Sequence, residues 1–166
     1  MEKLIHDQDA IFVGGGNTKS MLAVWRDWGL DEILKQAYEK GSVMSGVSAG
    51  AICWFERGIT DSWAENLKVM DCLNFVSGVC CPHYDEEPER RPSVHKMLKK
   101  NTFDECFAVD GGCALHLIDE KPHKAVVFNT IQMYRKGRYE YLKKLKDKLN
   151  GLENLLHLQL FENRKI

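Results

Sequence analysis

Apolar residues in this chain fall into short unbroken runs set between amphipathic stretches. Ala10-Ile11-Phe12-Val13 is wholly apolar and stops at Gly14-Gly15-Gly16-Asn17, the pattern of a strand covered on both faces in a parallel sheet. Thr18 can cap the segment that follows, where Met21, Leu22, Val24 and Trp25 make a helical stripe that Gly29 breaks. Leu30 to Lys40 predicts a second amphipathic helix, with Leu30, Ile33, Leu34 and Ala37 on one face and Gly41 as its stop. A short strand around Val43-Met44 then enters Gly46-Val47-Ser48-Ala49-Gly50, and a helix is expected to leave it through Ala51 to Phe55.

Beyond that point the periodicity is less regular. Residues 56–68 read as a loop, and 69–81 form an irregular apolar stretch ending in Pro82-His83-Tyr84-Asp85. The acidic, proline-bearing segment 86–92 suits a surface loop opening a helix over Ser93 to Lys100. Phe107 to Val109, Ala114 to Ile118 and Ala125 to Phe128 read as strands. A hairpin is expected over 131–142, with Gly137 at its turn. Leucines at 145, 149, 152, 155 and 156 suggest a C-terminal helical extension over 143–166. Strands alternating with helices in the first half predict one α/β domain over 1–166, a three-layer sandwich with a mainly parallel sheet.

Composition narrows the partners. With 44% hydrophobic and 28% charged residues, the chain can bury a core. A formal net charge of −1 provides no long-range attraction to nucleic acid or an anionic membrane. The six cysteines lie mostly in apolar runs without a CxxC pair, so they read as buried thiols of a reducing compartment rather than disulfides or a zinc site. No apolar run reaches the ~18–20 residues of a membrane span, and MEKLIHDQDA lacks the blocks of a signal peptide. A cytoplasmic protein with neither cofactor nor metal is expected.

The candidate chemistry centres on Ser48. A Gly-x-Ser-x-Gly pentapeptide alone is a weak signal and also suits a packing turn. A strand before it and a helix after it give it mechanical meaning, because a strained turn then lifts Oγ clear of the backbone. A serine hydroxyl needs a base at neutral pH. Of six histidines, His83 follows an apolar run and precedes a polar loop, at the strand edge where α/β sheets place their sites. The alternative for His83 is a loop histidine bonded to backbone. The glycines at 14–16 lack the lysine of a P-loop and the spacing of a dinucleotide site, and their N–H groups suit an oxyanion as well as a phosphate.

Taken together and in order, DAIFVGGGNT, VMSGVSAGAI, PHYDEEPERR and AVDGGCAL resemble the peptidase E, or aspartyl dipeptidase, family of serine peptidases, relatives of the class I glutamine amidotransferase-like domains. The resemblance covers roughly residues 8–142. It implies a flavodoxin-like sandwich and a Ser-His-carboxylate site that hydrolyses short peptides through an acyl-enzyme, with Asp-X dipeptides as the associated substrates. It implies Ser48 as nucleophile and His83 as base, with oxyanion donors from Gly15 or Gly16 and from Ala49. Asn17 and Thr18 would line the substrate pocket, and Arg90 or Arg91 would hold a substrate carboxylate.

Two departures bear on these implications. The family's orienting glutamate aligns with Gly111 here, leaving Asp110, one residue earlier, or Asp61 as candidates for that role. The family also carries further strands ahead of the segment matching DAIFVGGGNT, where this chain has nine residues before Ala10. An uncovered sheet edge invites pairing, so a homo-oligomer or a partner covering that edge is expected. Three functional readings follow: a cytosolic serine peptidase; a catalytically impaired relative that binds a ligand or partner; and an amidotransferase-like domain, disfavoured because that class carries cysteine where this chain has Ser48.

Overall fold

Strand β1 (Ala10–Val13) lies parallel to β2 (Val43–Gly46), with Ala10 opposite Val43 and Val13 opposite Gly46. In this computed structural model the described residues are 1–127, and Met1–Val126 form one compact unit. The crossover between the two strands is made by α2 (Thr18–Asp27) and α3 (Leu30–Glu39). α3 follows its predicted apolar stripe, and α2 does so except at Val24, which is 56% exposed: Leu22 and Leu34 are buried in one cluster with Trp54 and Phe75, against which Ile11, Val13 and Met44 of the strands pack. A short helix, α1 (Glu2–His6), precedes β1 and was not foreseen; it packs beside α3.

The helix leaving Ser48 is much shorter than the pattern suggested. It is one turn, α4 (Ala49–Ile52), and Phe55 already begins a strand, β3 (Phe55–Thr60). The expected loop over 56–68 is therefore corrected in its first part. Trp54 and Phe55 are neighbours buried in different clusters, as the opposite-facing side chains of an extended chain are. The polar Glu56 and Arg57 disguise the strand in the sequence. Arg57 donates to the Thr102 carbonyl at 3.3 Å, and Glu56 accepts from the Gly78 N–H at 3.1 Å.

β3 organises the second sheet. It pairs antiparallel with β4 (Lys68–Asp71) and parallel with β5 (Val76–Cys81), which pairs parallel with β6 (Cys106–Ala108), giving the order β4-β3-β5-β6. The irregular apolar stretch thus resolves into two strands separated by a turn with Asn74 at φ 57°. Helix α5 (Arg90–Lys99) starts three residues earlier than predicted, and its Val94 packs with Ile59, Val79, Cys81 and Phe103. Ile52, Phe55, Val76 and Cys80 form a third cluster, joined by Leu115 and Leu117. Those leucines come from β7 (Cys113–Ile118), which forms a two-stranded sheet with β8 (Lys121–Val127). Its turn residues Asp119 and Glu120 have φ 49° and 64°, as a tight hairpin turn requires.

The architecture is thus α/β with mixed, mostly parallel strand pairing. The described strands fall into three sheets of two, four and two strands. The cover expected on both faces of β1 is corrected: its residues alternate between exposed and half-buried, and Phe12 and Val43 on the β1–β2 pair are 69% and 63% exposed. No helix among the described residues is long and apolar enough to cross a membrane. The expected hairpin at 131–142 and helical extension at 143–166 lie outside the described residues.

Candidate functional site

The turn from β2 into α4 carries Ser48 at φ 56° and ψ −118°, a conformation costly for a residue with a Cβ. The flanking glycines make it possible. A Cβ on Gly46 would collide with the Gly50 carbonyl, and one on Gly50 would collide with the Val13 carbonyl. The elbow is therefore pressed directly onto the end of β1. Ser48 stands at the N-cap position of α4, yet its side chain makes no cap bond; the hydroxyl is left for other work.

β1 ends in the glycine turn, whose Gly15 faces Ser48: a Cβ placed there would sit 3.4 Å from the Ser48 Cβ. Ala49, buried, opens α4. Ser48 lines an open cleft of about 1190 Å³ together with His83, Glu86, Asp110 and Gly111. The cleft lining also includes the apolar Trp54, Phe75, Leu115 and Leu117.

His83 follows β5, at φ 54°. Its carbonyl accepts from the N–H groups of Glu86 and Glu87, each at 3.2 Å, closing a tight turn. That turn returns Glu86 to the imidazole, and His83 Nδ1 lies 2.7 Å from Glu86 Oε2. Two further bonds tie this loop to the one after β6. The Tyr84 N–H donates to the Val109 carbonyl at 3.0 Å, and the Gly111 N–H donates to Asp85 Oδ1 at 2.6 Å.

The structure thus brings Ser48, His83 and Asp110 to one cleft, with Gly15 against Ser48 and Ala49 next to it in the chain. The carboxylate bonded to His83 is Glu86, which the sequence reading passed over. Neither Asp110 nor Asp61 holds the imidazole: Asp110 is exposed in the cleft wall, and Asp61 is exposed beyond the end of β3. One signal in the sequence pointed to Glu86, its position three residues after His83 in a loop.

The remaining candidates serve the frame. The Asn17 side chain accepts from the Ser20 N–H at 2.9 Å as the N-cap of α2, and its amide donates to the Ser62 carbonyl at 2.7 Å. Thr18 is 1% exposed, with its N–H donating to Ser62 Oγ. Both pin the glycine turn to the segment after β3, and neither lines the cleft. Of the two arginines offered for a substrate carboxylate, Arg90 is an internal clamp. It is 5% exposed and donates from Nε to Glu87 at 2.7 Å and from Nη1 to the Ile59 carbonyl at 3.1 Å. Arg91 is exposed, its guanidinium 5.0 Å from the centre of the Tyr84 ring.

Comparison with known proteins agrees with this frame. The family described as "Peptidase family S51" matches residues 1–125. The chain belongs to peptidase family S51. Among relatives, "Uncharacterized peptidase YgaJ" of Bacillus subtilis is 46% identical over 122 residues, covering 74% of this chain and 53% of that protein. "Uncharacterized peptidase Lin0382" of Listeria innocua is 30% identical over 93 residues, covering 52% of this chain and 44% of that protein. The chain spans about half the length of the curated relatives it matches. A 1.5 Å crystal structure from Listeria monocytogenes EGD-e, named "Putative Peptidase E Protein", superposes with a TM-score of 0.55 at 21% identity. It covers 75% of this chain and 61% of that one, a likeness of fold. Membership of the S51 family and the peptidase E-like fold thus bear out the resemblance seen in the four motifs.

Proposed function

We propose that this chain carries the site of a serine peptidase acting on short peptides, with Ser48 as nucleophile and His83 as general base. The observation that carries this reading is the strained Ser48 turn facing the same cleft as His83. In the proposed reaction, Ser48 Oγ attacks the scissile carbonyl carbon as its proton passes to His83 Nε2. The oxyanion accepts hydrogen bonds from the Ala49 N–H and from Gly15 or Gly16. Collapse breaks the C–N bond, and the leaving amine takes the proton from His83. Water, deprotonated by His83, then hydrolyses the Ser48 ester by the same route in reverse.

Asp-X dipeptides are the substrate class taken from the resemblance. With Arg90 engaged in the interior, Arg91 is the arginine of that pair open to solvent, but it lies outside the cleft lining. A cytoplasmic setting is part of this reading, supported by six free thiols. The finer fold, a flavodoxin-like and amidotransferase-like sandwich, is supported by the parallel pairings β1–β2, β3–β5 and β5–β6.

Labelling by a fluorophosphonate, read by intact mass, tests the proposal. One adduct on the native chain that Ser48→Ala abolishes is the expected result, followed by turnover of a dipeptide panel. A folded native chain that takes no adduct would overturn it.

A further inference from the structure

We infer that Glu86 is the positioning carboxylate of His83, and that position 111 is glycine because Glu86 needs the space a side chain there would fill. The inference deepens the serine-peptidase reading and rests on it. Glu86 Oε2 is 2.7 Å from His83 Nδ1, a short, charge-assisted contact. The carboxylate is acceptor-only, so Nδ1 must carry the shared proton. A neutral imidazole is then held in the tautomer whose Nε2 has a free lone pair, the form a serine base requires.

The other carboxylate oxygen explains Gly111. A Cβ built on Gly111 would overlap Glu86 Cδ, Oε1 and Cγ. Any residue but glycine at 111 therefore displaces the carboxylate from the imidazole or is itself displaced. Gly111 cannot easily yield, because its N–H is fastened to Asp85 Oδ1 at 2.6 Å, one residue before Glu86. The adjoining Tyr84 N–H to Val109 carbonyl bond fixes the same two loops at a second point. Positions 86 and 111 thus compete for one volume beside His83, and in this chain the carboxylate comes from 86.

The test uses the full chain and two readouts. The first is the rate of fluorophosphonate labelling at Ser48. The second is the His83 tautomer, from long-range ¹H–¹⁵N correlations of histidine-labelled protein. The native chain is expected to show the Nδ1–H tautomer. Glu86→Gln should mix the two tautomers and slow labelling by ~10²–10⁴-fold, the scale seen when a triad carboxylate becomes an amide. Gly111→Ala should move both readouts in the same direction; should it fail to fold, the isosteric Glu86→Gln still decides.

An adduct formed at the native rate in Glu86→Gln, with the tautomer unchanged, overturns the inference and leaves the serine reading standing. So does slower labelling with an unchanged tautomer, which would make Glu86 a loop brace. A rate that holds in Glu86→Gln and falls in Asp110→Asn or Asp61→Asn reassigns the role. A native chain that takes no adduct removes the serine reading, and this inference with it.

Discussion

Gly50→Ala offers the sharpest check on how the elbow is built. The substitution adds one methyl group in a helical turn, where alanine would ordinarily gain ~0.5–1 kcal/mol over glycine. Here the new Cβ would meet the Val13 carbonyl and lie 2.6 Å from the Gly14 carbonyl oxygen, against the 3.0 Å that real Cβ contacts respect. At least 0.4 Å of movement is needed at Gly14, and more at Val13. Both obstacles are backbone at the end of β1, so no side chain can swing aside. Overpacking of this kind costs ~1–3 kcal/mol, which outweighs the helical gain.

Gly14→Ala is the internal control, because a Cβ there meets nothing within 4 Å and φ there is not positive. Urea unfolding followed by tryptophan fluorescence should place Gly50→Ala ~1–2 kcal/mol below the native chain, and Gly14→Ala level with it or up to ~1 kcal/mol above. Because α4 and β1 would part, the fluorophosphonate rate at Ser48 should also fall in Gly50→Ala, on the order of 10²-fold for a displacement approaching 1 Å. Equal stability and equal labelling in the two variants would refute the claim that the elbow is seated on β1.

Two further predictions concern the frame. Arg90→Met should cost ~1–3 kcal/mol, the penalty for leaving the buried Ile59 carbonyl without its donor, whereas Arg91→Ala should cost no more than the ~0.5–1 kcal/mol of an exposed cation–π contact; equal urea midpoints would show that Arg90 is not an internal clamp. Burial pushes the Cys72 and Cys106 thiols from 9.0 to about 12, so the unfolded chain releases these protons first as the pH rises. Stability should therefore fall between pH 9 and 12, by up to ~1.4 kcal/mol per pH unit for each thiol. Urea midpoints at pH 8 and pH 10.5 should differ less in Cys72→Ala than in the native chain; an equal difference would count against burial as the cause.

Several elements were legible before any coordinates because their causes are local. The wholly apolar run at β1, the stripes of α2 and α3, and the glycines around Ser48 each state a conformation through sterics and periodicity that neighbours in sequence enforce. His83 at the end of an apolar run was legible for the same reason. The four motifs in order were enough for the family, since they lie along most of the compact unit.

What the sequence could not determine was decided by partners distant along the chain. Residues 55–60 read as helix end and loop because Glu56 and Arg57 interrupt the apolar pattern. They are a central strand because β4 and β5 flank them and because Thr102 and Gly78 take up the two polar side chains. Arg90 and Arg91 are adjacent and alike in type; only the packing of α5 against β3 and β5 turns one inward and leaves the other outside. The carboxylate beside His83 is itself a local partner, returned by one tight turn; what the distant chain adds is Gly111, which the loop after β6 places beside Glu86. Asp61, Glu86 and Asp110 are equivalent as chemistry, and proximity in three dimensions selects Glu86, through a one-turn loop and a glycine that leaves it room. Local conformation follows from short-range sterics and so can be read along the chain, whereas the choice among chemically equal partners is settled only when the long-range contacts form.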